Sequence, residues 1–171
     1  MPLRNLKDIP KIPKTRKKKA HTALNAIPTK KPDKLEYVCK AFYKYDEKVG
    51  RQYYVFAIET IVEFTSFAYE VSVEVIKEKH VLNFILMGLK AQTNAVPQIQ
   101  PARTELYFED LIGDYTINVV KQDGAINTGE YHFNIFKREI ILTNQYKPKK
   151  KNNRLFCKFG VAEDEFTFPE K

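Results

Sequence analysis

Side chains able to do chemistry are few and scattered in this chain. The histidines stand at positions 21, 80 and 132 and the cysteines at 39 and 157. A metal site needs several His, Cys or carboxylate groups at ligand spacing, and none of the three histidines has a second His or Cys so placed. His21 falls in a basic segment, His80 in the turn Lys77-Glu78-Lys79-His80, and His132 on the polar face of a predicted hairpin. The carboxylates Glu109-Asp110 and Glu163-Asp164-Glu165 sit in turns, where solvated acids are the ordinary occupants. A glycosidase pair would need a cleft and a set separation. No G-x-S-x-G, H-E-x-x-H, P-loop or G-x-G-x-x-G sequence occurs. The residues therefore point to no catalytic group, no metal and no cofactor.

What remains is charge. One cluster is Lys14, Arg16, Lys17, Lys18 and Lys19, with Lys30 and Lys31 behind it; a second is Lys147, Lys149, Lys150, Lys151 and Arg154. Cations beside flexible backbone follow a phosphate chain and release its counterions. The partners this chemistry selects are polyanions: RNA, DNA or an acidic protein surface. Apart from Tyr146, no aromatic residue interleaves with either cluster, which favours backbone contacts without base stacking. Arg16–Lys19 also resembles a nuclear-localisation run. Anionic lipid attracts such segments too, but the first cluster lacks the apolar face of an inserting helix. The plain alternative is a solubilising tail and a solvated hairpin tip.

The elements that must carry these groups divide in two. Of the 29 Lys and Arg and 21 Asp and Glu, residues 1–34 hold eleven bases and two acids, a net of +9. Residues 35–171 hold eighteen bases and nineteen acids, a net of −1. Residues 1–34 contain Pro10, Pro13, Pro28 and Pro32 and few large apolar side chains, so they are expected to form a disordered or extended arm. Residues 35–171 read as an all-β domain. The clearest unit is Gly113–Phe136, where Tyr115, Ile117 and Val119 alternate with polar neighbours, then Tyr131, Phe133 and Ile135 do the same, predicting an antiparallel hairpin. Leu35–Tyr45, Tyr54–Phe64 and Tyr69–Val75 also alternate. Val81–Leu89 fits a strand or a short buried helix, and its neighbours and Gly88 favour strand. Thr104–Phe108, Glu139–Asn144, Leu155–Phe159 and Phe166–Phe168 complete about ten strands, with no long helix. Cys39 and Cys157 fall on apolar sides of strands, which favours buried free thiols over a disulfide.

Leu111-Ile112-Gly113-Asp114-Tyr115, entering a Tyr-x-Ile-x-Val strand, resembles the tyrosine corner of immunoglobulin-like and fibronectin-III-like sandwiches. That resemblance implies an antiparallel β-sandwich with its core in residues 35–137; residues 138–171 lie outside the template and read as a C-terminal hairpin extension. Ile117 stands where an antibody domain has its second cysteine, and the chain has no Trp. An up-and-down β-barrel, begun by a meander of the four strands in residues 35–89, is the rival architecture. The expected function is a non-enzymatic interaction protein whose β-domain docks on a partner while the arm contacts a polyanion. The alternatives are a small-ligand-binding barrel lined by Tyr53, Tyr54, Phe56, Phe84, Phe133 and Phe136, and a surface adhesin-like module. With no apolar run of membrane-spanning length and no secretory signal pattern at the start, the expected location is the cytoplasm.

Overall fold

The predicted Gly113–Phe136 hairpin forms as β6 (Gly113–Lys121) and β7 (Ile126–Asn134), in the register Tyr115↔Tyr131 and Ile117↔Gly129. The computed structural model describes residues 12–65, 67–92, 96 and 98–170, with the side chains of 12–14 outside that description. Seven further strands surround the hairpin: β1 (Tyr37–Asp46), β2 (Arg51–Phe64), β3 (Tyr69–Glu78), β4 (Val81–Ala91), β5 (Gln100–Phe108), β8 (Glu139–Tyr146) and β9 (Cys157–Val161). They form two sheets, ordered β5-β2-β1-β9 and β3-β4-β6-β7-β8. The sheets are mixed, because β1 pairs parallel to β9 and β4 parallel to β6. This is a two-sheet, sandwich-like fold, and the barrel alternative does not hold.

Period-two patterning places one face of each strand in the interior. Tyr43, Tyr54, Phe56, Phe84, Tyr131 and Phe133 meet there, with the Phe56 ring edge-on to Phe84, Tyr131 and Phe133 at 5.4–5.9 Å. Burying each such ring is worth about 1.5–3 kcal/mol. Four of the six aromatics assigned to a ligand cavity (Tyr54, Phe56, Phe84 and Phe133) thus fill a packed core. Tyr53 packs instead with Phe42, Val55 and Ala57 in a separate cluster, and Phe136 is 92% exposed at the β7–β8 turn. Gly129 has a steric role: a Cβ there would lie 2.6 Å from the Phe159 ring of the facing sheet. Cys39 and Cys157 are buried free thiols, as expected, and burial pushes both thiol pKa values up.

Three expectations require correction. The four strands of 35–89 do not form one meander: β1 and β2 pair in one sheet, β3 and β4 in the other. Residues 138–171 are not an appended hairpin, since β8 extends one sheet and β9 crosses to the other. The tail after β9 is a 3-10 turn, Glu163–Glu165, followed by extended chain whose Thr167 N–H bonds to the Tyr43 carbonyl, in place of a tenth strand. Tyr115 does lie at the start of β6 with its ring against His80 and Phe133, which fits the sandwich at the level of two packed sheets.

The largest departure is in the arm. Residues Ile12–Asn25 form a helix, α1, lying on the outer face of the five-stranded sheet. Lys, Ala and Leu are good helix formers, Pro13 sits in the first turn where its missing N–H costs nothing, and Pro28 lies just past the end. A fourteen-residue helix is marginal alone, so packing must hold it. Ala20 and Ala23 supply that packing against Ile85 and Val120, with Leu24, Ile76, Met87 and Ile126 around them. Their small side chains let the helix approach the sheet closely, yet add little to any hydrophobicity count. Residues 1–11 lie outside the described residues. No described helix is long and apolar enough to cross a membrane.

Candidate polyanion interface

The two basic clusters stand more than a hundred residues apart in the chain and meet in the fold. Lys150 Nζ donates to the Leu24 carbonyl at the end of α1 (3.2 Å) and to the Gly124 carbonyl in the β6–β7 turn (2.9 Å). A cation on the last carbonyls also complements the helix dipole. Asn152 Nδ2 donates to the Pro28 carbonyl at 3.1 Å, and Lys147 Nζ lies 3.7 Å from Asp33 Oδ1. Asp33 also accepts the Leu155 N–H at 2.8 Å, while the Lys34 and Glu36 N–H groups bond to the Leu155 and Phe156 carbonyls. Residues 26–36 therefore run beside the 147–156 loop. Gly124 permits this approach: its φ is +95°, and any Cβ would strike the Ala26 carbonyl.

Beneath this seam the polar groups are fully committed. Arg154, 4% exposed, pairs with Asp123 at 2.8 Å. Burial alone would raise the Asp123 carboxyl, but the Ala125 N–H and the Arg154 guanidinium outweigh it and hold it below the usual range. Asn127 Oδ1 accepts the N–H groups of Phe156 and Cys157, and its Nδ2 donates to the Arg154 carbonyl at 2.9 Å. Burial lowers the Lys150 ammonium from its ordinary value, with Asp123 acting the other way.

The twelve predicted polyanion contacts thus sort into different roles. Arg16 pairs with Glu74 at 2.8 Å and donates to Ser72, tying α1 to β3. Lys147, Lys150 and Arg154 bind the chain's own groups, and Lys150 and Arg154 are structural rather than free cations. The Lys14 side chain lies outside the described residues. Lys17, Lys18, Lys19, Lys30, Lys31, Lys149 and Lys151 are exposed and make no ion pair with a described residue. Four acids on the adjoining elements are already engaged: Asp33 by Lys147, Glu36 by Lys121, Glu74 by Arg16 and Asp123 by Arg154. The exposed lysines thus lie on α1, on residues 26–34 and on the 147–151 loop, segments joined by the Lys150–Leu24 and Asn152–Pro28 bonds.

Sequence reasoning missed the residues that join the clusters. Asn127, Asn152 and Asp123-Gly124 look like ordinary turn and edge residues, and their role depends on contacts with distant chain. Among the described residues no group of three or more His, Cys, Asp or Glu is placed to hold a metal. Comparison of the chain with protein-family models, curated proteins and solved structures finds no match.

Proposed function

We propose that this chain is a non-catalytic binding protein whose basic surface contacts a nucleic-acid backbone. The observation that carries this is the convergence of the two clusters through Lys150–Leu24 and Asn152–Pro28, which sets seven exposed lysines on adjoining elements. The arm, in this reading, is preorganised rather than loose. Holding lysines in place lowers the ordering entropy of binding. The lysines are flexible point charges without stacking aromatics, which suits phosphate contact without sequence preference. The finer likeness to immunoglobulin and fibronectin-III sandwiches, resting on Leu111–Tyr115, is an analogy of fold and adds nothing to the choice of function.

The test is fluorescence anisotropy with labelled single-stranded RNA and duplex DNA across a salt series. Each phosphate contact contributes about −0.9 to the log–log salt slope on duplex and about −0.7 on single strands. Replacing Lys18, Lys30 and Lys149 with Gln is expected to reduce the duplex slope by about 2.7. Point variants are preferable to deleting the arm, because α1 covers Ile85 and Val120. Binding that ignores both salt and these substitutions would refute the reading; capture of acidic protein in place of nucleic acid would redirect it.

A further inference from the structure

Four strand edges, β5, β9, β3 and β8, terminate the two sheets, and on two of them, β3 and β9, backbone groups bond to side chains from outside their own sheet. β3 lies along β5, where Thr104 Oγ1 donates to the Val71 carbonyl at 2.5 Å. On β9, the Cys157 N–H bonds to Asn127 Oδ1 at 2.8 Å and the Phe159 N–H to Gln145 Oε1 at 3.2 Å. β8 differs. β9 lies alongside it and the Glu139 carbonyl accepts the Tyr43 hydroxyl at 2.8 Å, but no described side chain bonds to the backbone of residues 140–146. Unpaired backbone groups along an exposed edge form a template for another strand.

Charge selects the occupant. Residues 140–146, IILTNQY, carry no charge, and Ile141 and Tyr146 are 41% and 43% exposed. Lys137 and Arg138 precede the strand and Lys147, Lys149 and Lys151 follow it, with Glu139 the one acid between them. Antiparallel pairing of two copies would set Lys137 and Arg138 of one against Lys147 and Lys149 of the other, and like charges brought opposite are destabilising. An incoming strand with acidic ends would meet cations at both. A depression of about 260 Å³ lined by Gln145, Tyr146, Lys147, Leu155, Cys157 and Phe159 opens at the C-terminal end of β8 and offers a seat for one of its side chains.

From this we infer that β8 is a docking edge for an extended peptide segment of a partner protein, uncharged at its centre and acidic at both flanks. The inference does not depend on the nucleic-acid reading, though both use the 147–151 loop. Thr143 provides the means to separate them. Asn144 pairs with Glu130 and Leu142 with Tyr131, so Thr143 is a bulge residue of β8 with no register partner, its hydroxyl donating to the Glu130 carbonyl at 3.1 Å. Proline is tolerated at such a position and blocks addition at the edge.

The probes are two fluorescein-labelled peptides sharing a Val-Thr-Val-Thr-Val core, one flanked by paired glutamates and the other by paired lysines. The glutamate peptide is expected to bind the full chain and to slow amide exchange along residues 140–146. Thr143→Pro should weaken it about tenfold, the loss of one to two backbone hydrogen bonds, with RNA affinity unchanged. Should that variant fold poorly, Arg138→Glu with Lys147→Glu keeps the edge and should shift preference toward the lysine peptide. Equal binding of both peptides, no added protection along β8, or no preference shift in the charge variant would overturn the inference. Concentration-dependent dimerisation abolished by Thr143→Pro would identify a second copy as the occupant and overturn it equally.

Discussion

Arg154 and Asp123 show how a residue's role depends on what surrounds it. In the chain Arg154 ends a basic run, whereas in the fold its guanidinium is buried against one carboxylate. Removing one partner of such a pair leaves an uncompensated charge, so Arg154→Ala is expected to cost about 2–4 kcal/mol, at the lower end because Asp123 is partly exposed. Thermal denaturation should register this as a fall of about 4–16 °C in Tm. The double variant Asp123→Asn, Arg154→Met should recover part of it, since an apolar replacement of a buried pair is often near neutral. The pair also has a pH signature. Burial opposes ionisation of both Asp123 and Glu105. Contacts to Asp123 from Ala125 and Arg154, and to Glu105 from Tyr107, Lys44 and Arg103, prevail and lower both carboxyl pKa values. A depressed carboxyl adds stability that is present above its unfolded pKa and lost as pH falls through the native one. Stability should therefore drop as pH falls below about 4, and Asp123→Asn should flatten that limb in acid-denaturation curves.

Among the elements, α1 depends most on others for its existence. Its register on the sheet is set by Ala20 and Ala23 on Ile85 and Val120, and its ends by Arg16–Glu74 and Lys150–Leu24. Ala23→Glu would force a charge into that contact. The expected result is loss of helical circular dichroism and fast amide exchange over residues 15–25, with the strands still protected. The inter-sheet core does not include these residues, so the β-domain should remain folded. Gly124→Ala should act similarly at the far end by displacing Ala26. Gly129→Ala belongs to a different element pair: it drives a methyl into Phe159 and is expected to lower global stability by about 1–3 kcal/mol, measurable by urea denaturation.

At the scale of the whole molecule, the described part of the basic segment, residues 12–34, and the near-neutral remainder are physically one unit. The helix covers an apolar patch of the five-stranded sheet, and residues 26–36 continue beside the loop that leads into β9. Deleting residues 1–34 should uncover Ile85, Val120 and Ile126 and leave Lys150 without its helix-end partner. Dye binding to exposed apolar surface and light scattering are expected to rise in that truncation. Unchanged values would mean that the helix contributes nothing to covering the sheet.

Alternation of apolar residues determined most strands, the Gly113–Phe136 hairpin and the burial of both thiols, because side chains in a strand change face at every residue. Composition likewise determined where the excess positive charge resides. Tertiary structure alone decided that two sheets pack instead of closing a barrel, since strand partners are chosen between distant segments whose local patterns are alike. It also decided that residues 12–25 are helical, because alanines gain their worth only from the surface they meet. The union of the two basic clusters was decided there too: a lysine bonded to a distant carbonyl and a lysine free in water are the same letter in the chain.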